Sequence, residues 1–218
     1  MCWGFAGSRS LFHTIILGTP PPATRLLIQS FLATQCCDAT LHVWLPASEL
    51  RAQTGAASTG ADAALPVIPP HHVGRVVYRE LDVVALFAAV RDDFPDVNDT
   101  AAASMMDFPD QRYRANWARL LVLYTAGGVY VDADTLFLSD FRPLLDALGG
   151  AGAKGKPFSY RQGTEITMNI AVLRLPQRPS AATRSIIALA ANRHHVTQGA
   201  ITNVRRLEYS CRVTPLRV

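Results

Sequence analysis

The sequence predicts one α/β domain built around a mostly parallel sheet, and three observations carry that expectation. A chain of 218 residues, 49% of them apolar, can bury a single sizeable core. Its opening alternates a β-prone run, a stretch of helical spacing and a second β-prone run, the order that makes parallel neighbours. Further on, a long periodic helix stops at Gly127-Gly128 and another β-rich run follows at once.

Taken in order, residues 12–17 form a short β-prone run that stops at Gly18 and a proline cluster, and 41–45 form a second, closed by Pro46. Between them, Leu26, Leu27, Phe31 and Leu32 recur at helical spacing within 23–34. Residues 53–64 are mostly Ala, Gly, Ser and Thr, too poor in apolar surface to offset the entropy of ordering. A surface loop is therefore expected over 52–66. A third strand is expected over 73–78, a short helix over 83–90, and an acidic, proline-punctuated connection over 91–109.

Within 114–126, Trp117, Leu120, Leu121 and Tyr124 fall on one helical face, with Asn116, Arg119 and Leu123 on its flank. Residues 129–134 then alternate as a strand, Val129, Val131 and Ala133 on one side and Tyr130, Asp132 and Asp134 on the other. Beyond it come a helix over 140–148, a loop over 149–156, a β-rich run over 166–175 that contains Asn169, and a helix over 180–191. Past His195 the pattern fades, 211–218 offer no closing element, and the end reads as ragged or truncated. There is no internal repeat, so 1–218 is read as one domain.

Charge and cysteine content narrow the function. The net charge of +4 is modest and the arginines are scattered, so composition gives no case for nucleic acid and suits a small anionic substrate equally well. Cys2, Cys36, Cys37 and Cys211 lack metal-site spacing, and adjacent Cys36 and Cys37 would make a strained disulfide. No apolar run reaches the about 18 residues of a membrane span, and 1–20 lack the layout of a signal peptide. One sequon, Asn98-Asp99-Thr100, permits glycosylation in a secretory compartment.

The chemistry-bearing pattern is Asp132-Ala133-Asp134. Two carboxylates one residue apart at the end of a buried strand repel each other, and desolvation disfavours both ionised forms. A hard divalent cation such as Mg²⁺ or Mn²⁺ removes that cost, and such ions share their shell between one or two carboxylates and the oxygens of a diphosphate. Where a glycosyl bond to that diphosphate breaks, the metal stabilises the charge growing on the leaving phosphate. The bland reading of the same residues is a solvated turn after a strand. Arg119 would then be half of a helix-surface ion pair, Asn116 a helix N-cap, Tyr130 a core aromatic and Asn169 a satisfier of backbone groups.

Two other enzyme patterns fit less well. A phosphate-loop spacing at Gly150 to Lys156 has Pro157 where Ser or Thr is needed, and no strand leads into it. A phosphatase built on the same Asp-x-Asp needs Thr or Val four positions after Asp132, where Leu136 stands.

The run Ala115-Asn116-Trp117-Ala118-Arg119, then Leu123-Tyr124, then Gly127-Gly128-Val129-Tyr130-Val131-Asp132-Ala133-Asp134 resembles the DXD-containing sugar transferases of the sugar-binding-region family. That family includes fungal initiating mannosyltransferases, vertebrate α-1,4-galactosyltransferases and the glucosylating domains of large clostridial toxins. The block has a small residue and Asp leading to Arg three positions on, then Leu-Tyr, Gly-Gly and aromatic-x-Asp-x-Asp. Weaker similarity runs from His13-Thr14-Ile15-Ile16-Leu17-Gly18, like the family's first strand, to Asn169, like an asparagine on a later strand.

The resemblance implies a GT-A-like, Rossmann-related domain, Mn²⁺ or Mg²⁺, a UDP- or GDP-sugar donor, and hexose transfer with retention to a glycan, glycolipid or protein hydroxyl. It also implies the Golgi or secretory lumen. By matching position, Asp134 would ligate the metal and Asp132 would contact the ribose and the metal shell. Arg119 would hold the donor sugar or phosphate, Tyr130 would line the nucleotide pocket, and Asn116 and Asn169 would contact the donor. Two residues depart from the pattern: Asn116 stands where the family usually has Asp, and Ile16 where some members place a base-stacking Trp. The closing loop of some relatives has no counterpart after Thr197. A degenerate relative that binds a nucleotide sugar or a partner without catalysis is the non-enzyme alternative.

Overall fold

The computed structural model describes residues 10–54, 65–95, 104–150, 156–161, 168–177, 184, 187 and 214–216. The chain divides into two compact units, Met1–Leu81 with Val131–Gly155, and Asp82–Tyr130 with Lys156–Val218.

The first unit opens with β1 (Leu11–Ile15), α1 (Pro22–Thr34) and β2 (Thr40–Leu45), the strand, helix and strand expected from the spacing. Pro22 fits the first turn of α1 because its missing N–H would have no helical partner there. Thr24, Leu27, Ile28 and Phe31 recur at i, i+3, i+4 and i+7 and form the buried face. Each fully buried apolar side chain of this size stabilises by roughly 1.5–3 kcal/mol. After α2 (Ala47–Thr54), unannounced by any strong periodicity, β3 (Val76–Glu80) completes the order β3-β2-β1. Both pairings are parallel, with Leu11 opposite Thr40 and Leu41 opposite Val76. β3 starts three residues later than the sequence suggests, since Val73 closes a 3₁₀ turn over Pro70–His72.

The core of this unit is a ring cluster. Phe12 of β1, Phe31 of α1, Phe137 and Phe141 lie with centroids 5.5–5.7 Å apart in edge-on pairs. The segment carrying the last two leads into α5 (Arg142–Ala147), within the helix expected over 140–148.

His13 and His42, directly opposite in the β1–β2 register, pack with Trp44, whose indole N–H donates to His13 Nδ1 at 3.1 Å. Burial, and then the charge of Arg79, push the His42 imidazole down from 6.5 to about 4. The unfolded chain therefore takes up this proton before the folded chain does, so this stability is present above pH 6.5 and is lost as pH falls towards 4. The melting temperature is expected to drop across that window, and His42→Gln to drop less steeply. Equal slopes in a pH series of thermal melts would remove His42 as the cause.

The second unit holds α3 (Val83–Ala88), whose N-cap Asp82 accepts from the Ala85 N–H at 2.9 Å, and α4 (Gln111–Ala126), capped by Asp110 accepting from the Arg112 N–H at 2.8 Å. Asn116 is thus interior to α4 and not its cap. The cap stands six residues earlier because a carboxylate at Asp110 satisfies the first-turn donors better than a mid-helix amide. α4 is also buried all round from Trp117 to Tyr124, so the one-sided face expected for it is a full circumference.

The strands here are β4 (Gly128–Val131), β5 (Phe158–Arg161), β6 (Met168–Leu175) and β7 (Thr214–Leu216), in the order β4-β6-β5-β7. β5 pairs antiparallel with β6 and parallel with β7. A closing element does exist within 211–218: three residues, one of them proline, are too short and irregular to signal a strand. Among the described residues β1–β2, β2–β3 and β5–β7 pair parallel and β5–β6 antiparallel, so the α/β class with a mostly parallel sheet is borne out. The expected helix over 180–191, the 53–64 loop beyond Thr54 and residues 151–155 lie largely or wholly outside the described residues.

Candidate functional site: the turn after the glycine pair

Gly127 closes α4 and launches β4, and two constraints make it glycine. Its φ of +67° and ψ of −165° suit no L side chain. A Cβ there would also stand 2.7 Å from the backbone N of Gln177, whose side chain in turn donates to Thr125 O at 2.7 Å. Gly127→Ala is expected to cost about 2–4 kcal/mol, read as a lower denaturant midpoint at unchanged slope. A midpoint equal to wild type would show that this approach relaxes freely.

The strand that follows ends sooner than its alternation suggests. β4 stops at Val131, and Asp132 to Thr135 form a turn closed by the Thr135 N–H donating to Asp132 O at 3.0 Å. Asp132 and Asp134 therefore do not share a strand face. Polar side chains alternated on past the point where the ladder stops, and the turn hydrogen bond replaced it. Asp132 is half-buried and Asp134 exposed, while Val129, Tyr130 and Val131 are buried. An apolar strand thus delivers two carboxylates onto a turn that opens to solvent.

The chain after the turn is pinned residue by residue within the same unit. The Phe137 N–H donates to Ser30 Oγ at 3.1 Å, and the Phe141 N–H to Gln35 Oε1 at 3.0 Å. Gln35 Nε2 donates to Ser139 O at 2.8 Å, and the Cys36 thiol to Asp140 Oδ2 at 2.7 Å. Arg142 donates its backbone N–H to Asp140 Oδ1 and its guanidinium to Asp38. The end of α1 and the loop behind it hold 137–142 as a supporting shell for the turn. Ser30, Gln35 and Asp38 went unnoticed in the sequence because nothing local marks a partner about a hundred residues away.

Arg119 and Tyr130 pair within the second unit. Arg119 is 5% exposed, donates from Nη1 to Ile170 O at 2.7 Å and from Nη2 to Tyr130 Oη at 3.3 Å, and lies 4.0 Å from the Tyr130 ring centre. The surface ion pair considered for it is overturned: the guanidinium is buried and ties α4 to β4 and β6. Tyr130 is 2% exposed and presents its ring and hydroxyl to that cation. Asn116 is half-buried on α4, and Asn169 sits on β6 opposite Tyr160, beside a register shift.

Among the described residues no three His, Cys, Asp or Glu side chains come together as a ready-made metal shell. Two hard carboxylates on one solvent-facing turn still fit a cation of the Mg²⁺ type, which completes its shell with water and phosphate oxygens. Asp132 and Asp134 are the residues that would hold it.

Comparison with known proteins sets the class. A family model described as the glycosyltransferase sugar-binding region containing a DXD motif matches residues 25–149, more than half of the chain. The chain belongs to this family. The match runs from within α1 past the end of α5 and so contains the turn, its supporting shell and Arg119.

Solved structures agree on the fold. The PaToxG glycosyltransferase superposes with a TM-score of 0.56 at 14% identity, over 92% of this chain and 69% of that one. The apo form of glycosyltransferase GlyE from Streptococcus pneumoniae TIGR4 gives 0.51 at 13% identity, over 96% of this chain and 45% of that one, and a second GlyE structure gives 0.53 at 10%. The chain therefore spans less than half the length of GlyE. No curated protein sequence matches it. The fold is of the GT-A type, and among the described residues no helix is long and apolar enough to cross a membrane.

Proposed function

We propose that the protein is a metal-dependent glycosyltransferase that moves a hexose from a UDP- or GDP-sugar to a hydroxyl of a glycan, glycolipid or protein, with retention at the anomeric carbon. The observation that carries this reading is an Asp-x-Asp pair, Asp132 and Asp134, on a solvent-facing turn within the region matched by a family model that contains a DXD motif. In this reading Asp134 would ligate Mn²⁺ or Mg²⁺, and Asp132 would contact the donor ribose and the metal shell. When bound, the metal supplies Lewis-acid stabilisation of the leaving diphosphate.

The remaining roles belong to the chain. Asn116 offers a neutral amide to a donor hydroxyl, and Asn169 offers a second. Arg119 supplies positive charge from within the fold, and Tyr130 keeps that guanidinium oriented through its ring and hydroxyl. The supporting shell of Ser30, Gln35 and Phe141 holds the turn in position, so that less ordering is needed when donor binds.

Thermal melting with Mn²⁺ against a panel of UDP- and GDP-sugars tests the reading, because a ligand that binds only the native state raises the melting temperature. A shift by one donor, present only with metal, is the expected result. A shift without product release would identify a binding relative that no longer catalyses, and no shift with any donor would overturn the reading.

A further inference from the structure

A groove of about 430 Å³ runs along α1, outside the turn and its shell. One wall is the helix, where Arg25, Gln29 and Ala33 recur every four residues and so fall on one face, with Leu32 beside them. The other is the extended strap 65–69, ending at His72. The volume falls in the range of small-molecule sites, and the composition matches them too, apolar walls with a few polar groups. Val67, on the strap, is 83% exposed.

Both walls are tied down. The Tyr78 hydroxyl donates to Pro66 O at 3.1 Å, and the His72 N–H to Pro69 O at 2.8 Å. Arg75 donates to Leu32 O, Gln35 O and Cys36 O, closing the far end of α1. The groove is therefore preformed.

Its charge is one-sided. Arg25 makes no hydrogen bond or ion pair among the described residues, and no acidic residue lines the groove. His72 is held below the usual imidazole range by desolvation, with His71 and Arg75 adding to it, so Arg25 is the lining cation at neutral pH. From Arg25 to Ala33 the helix rises about 12 Å, enough for an apolar chain lying along it.

We propose that this groove binds a small amphipathic anion, an acyl chain ended by a carboxylate, with the carboxylate on Arg25 and the chain between Leu32 and the strap. A guanidinium fork suits a carboxylate, and the apolar walls suit a chain with no hydrogen-bonding groups.

Calorimetric titration of the full chain with decanoate, below its micelle concentration, tests this against 1-decanol, which keeps the chain and lacks the charge. One saturable decanoate site is expected, with decanol binding about tenfold more weakly. Arg25→Ala should remove that preference. Ala33→Trp, which fills the groove from an exposed helix position, should abolish binding of both. Val67→Glu, a change at an exposed position that leaves the core untouched, should repel decanoate and serves if Ala33→Trp fails to fold. No saturable binding, equal affinity for the two probes, or binding that survives both groove variants would overturn the proposal. So would binding that appears only after residues 55–64 are replaced by a Gly-Ser linker, because the chain's own segment would then be the occupant. None of these readouts uses sugar transfer, so the outcome is independent of the proposed enzymatic activity.

Discussion

Asp134→Asn is expected to lower sugar transfer by about 10²–10³-fold, the several kcal/mol that a Lewis-acid metal supplies to a leaving diphosphate. An amide oxygen is a poorer ligand for a hard cation than a carboxylate, so the Mn²⁺-dependent shift of melting temperature by donor should vanish as well. The fold should not suffer. Asp134 is exposed on a turn whose hydrogen bond runs between backbone atoms of Asp132 and Thr135, so its side chain contributes little to stability, roughly within 0.5 kcal/mol. Transfer kinetics with and without Mn²⁺, beside the melting curve of the variant without ligand, measure the two effects separately. Full activity in Asp134→Asn would falsify the metal role, and a collapsed melting curve would assign the residue to structure.

Phe137→Ala is expected to cost about 3–5 kcal/mol, the range for deleting a fully buried aromatic side chain, and to lower the melting temperature by about 10 °C. The ring is 3% exposed and lies 5.5–5.6 Å from Phe12, Phe31 and Phe141, so the cavity opens at the centre of the first unit's core. Phe137 also anchors the segment that leaves the carboxylate turn, two residues after Thr135. Metal-dependent donor binding, measured by calorimetry at a temperature where the variant is folded, should therefore weaken too. Phe137→Leu refills most of the space and should restore most of both. A variant that melts like wild type would show that the ring cluster is not the core it resembles, and one that loses stability while keeping full donor affinity would separate the cluster from the turn.

Much of this architecture was legible from local pattern. Proline at the start of α1, Leu27 and Phe31 at helical spacing within it, and glycine where α4 turns into β4 each act within a few residues of themselves. The family block around Asn116, Arg119 and Asp132–Asp134 was legible for the same reason, since it lies within some twenty positions of the chain. The misreadings share a different cause. The alternation around Tyr130 and Asp132 continued into residues where no strand partner follows, and a turn took over. Arg119 looked peripheral because a helix wheel assumes a solvent side, and α4 has none from Trp117 to Tyr124. The strand Thr214–Leu216 exists only through pairing with β5, which no spacing within three residues can announce.

By itself, then, the sequence determined the α/β class, the order of the first strands and helix, and the carboxylate pair with its glycine lead-in, because hydrophobic period and backbone freedom are short-range properties. Tertiary structure alone decided that the carboxylates sit on a turn, that Arg119 is buried against Tyr130 and Ile170, and that Ser30 and Gln35 brace the segment behind the turn. Those outcomes depend on which surfaces meet across long stretches of chain. A buried cation or backbone N–H takes the acceptor that packing brings to it, because leaving it unpaired would cost more than any local preference could offset.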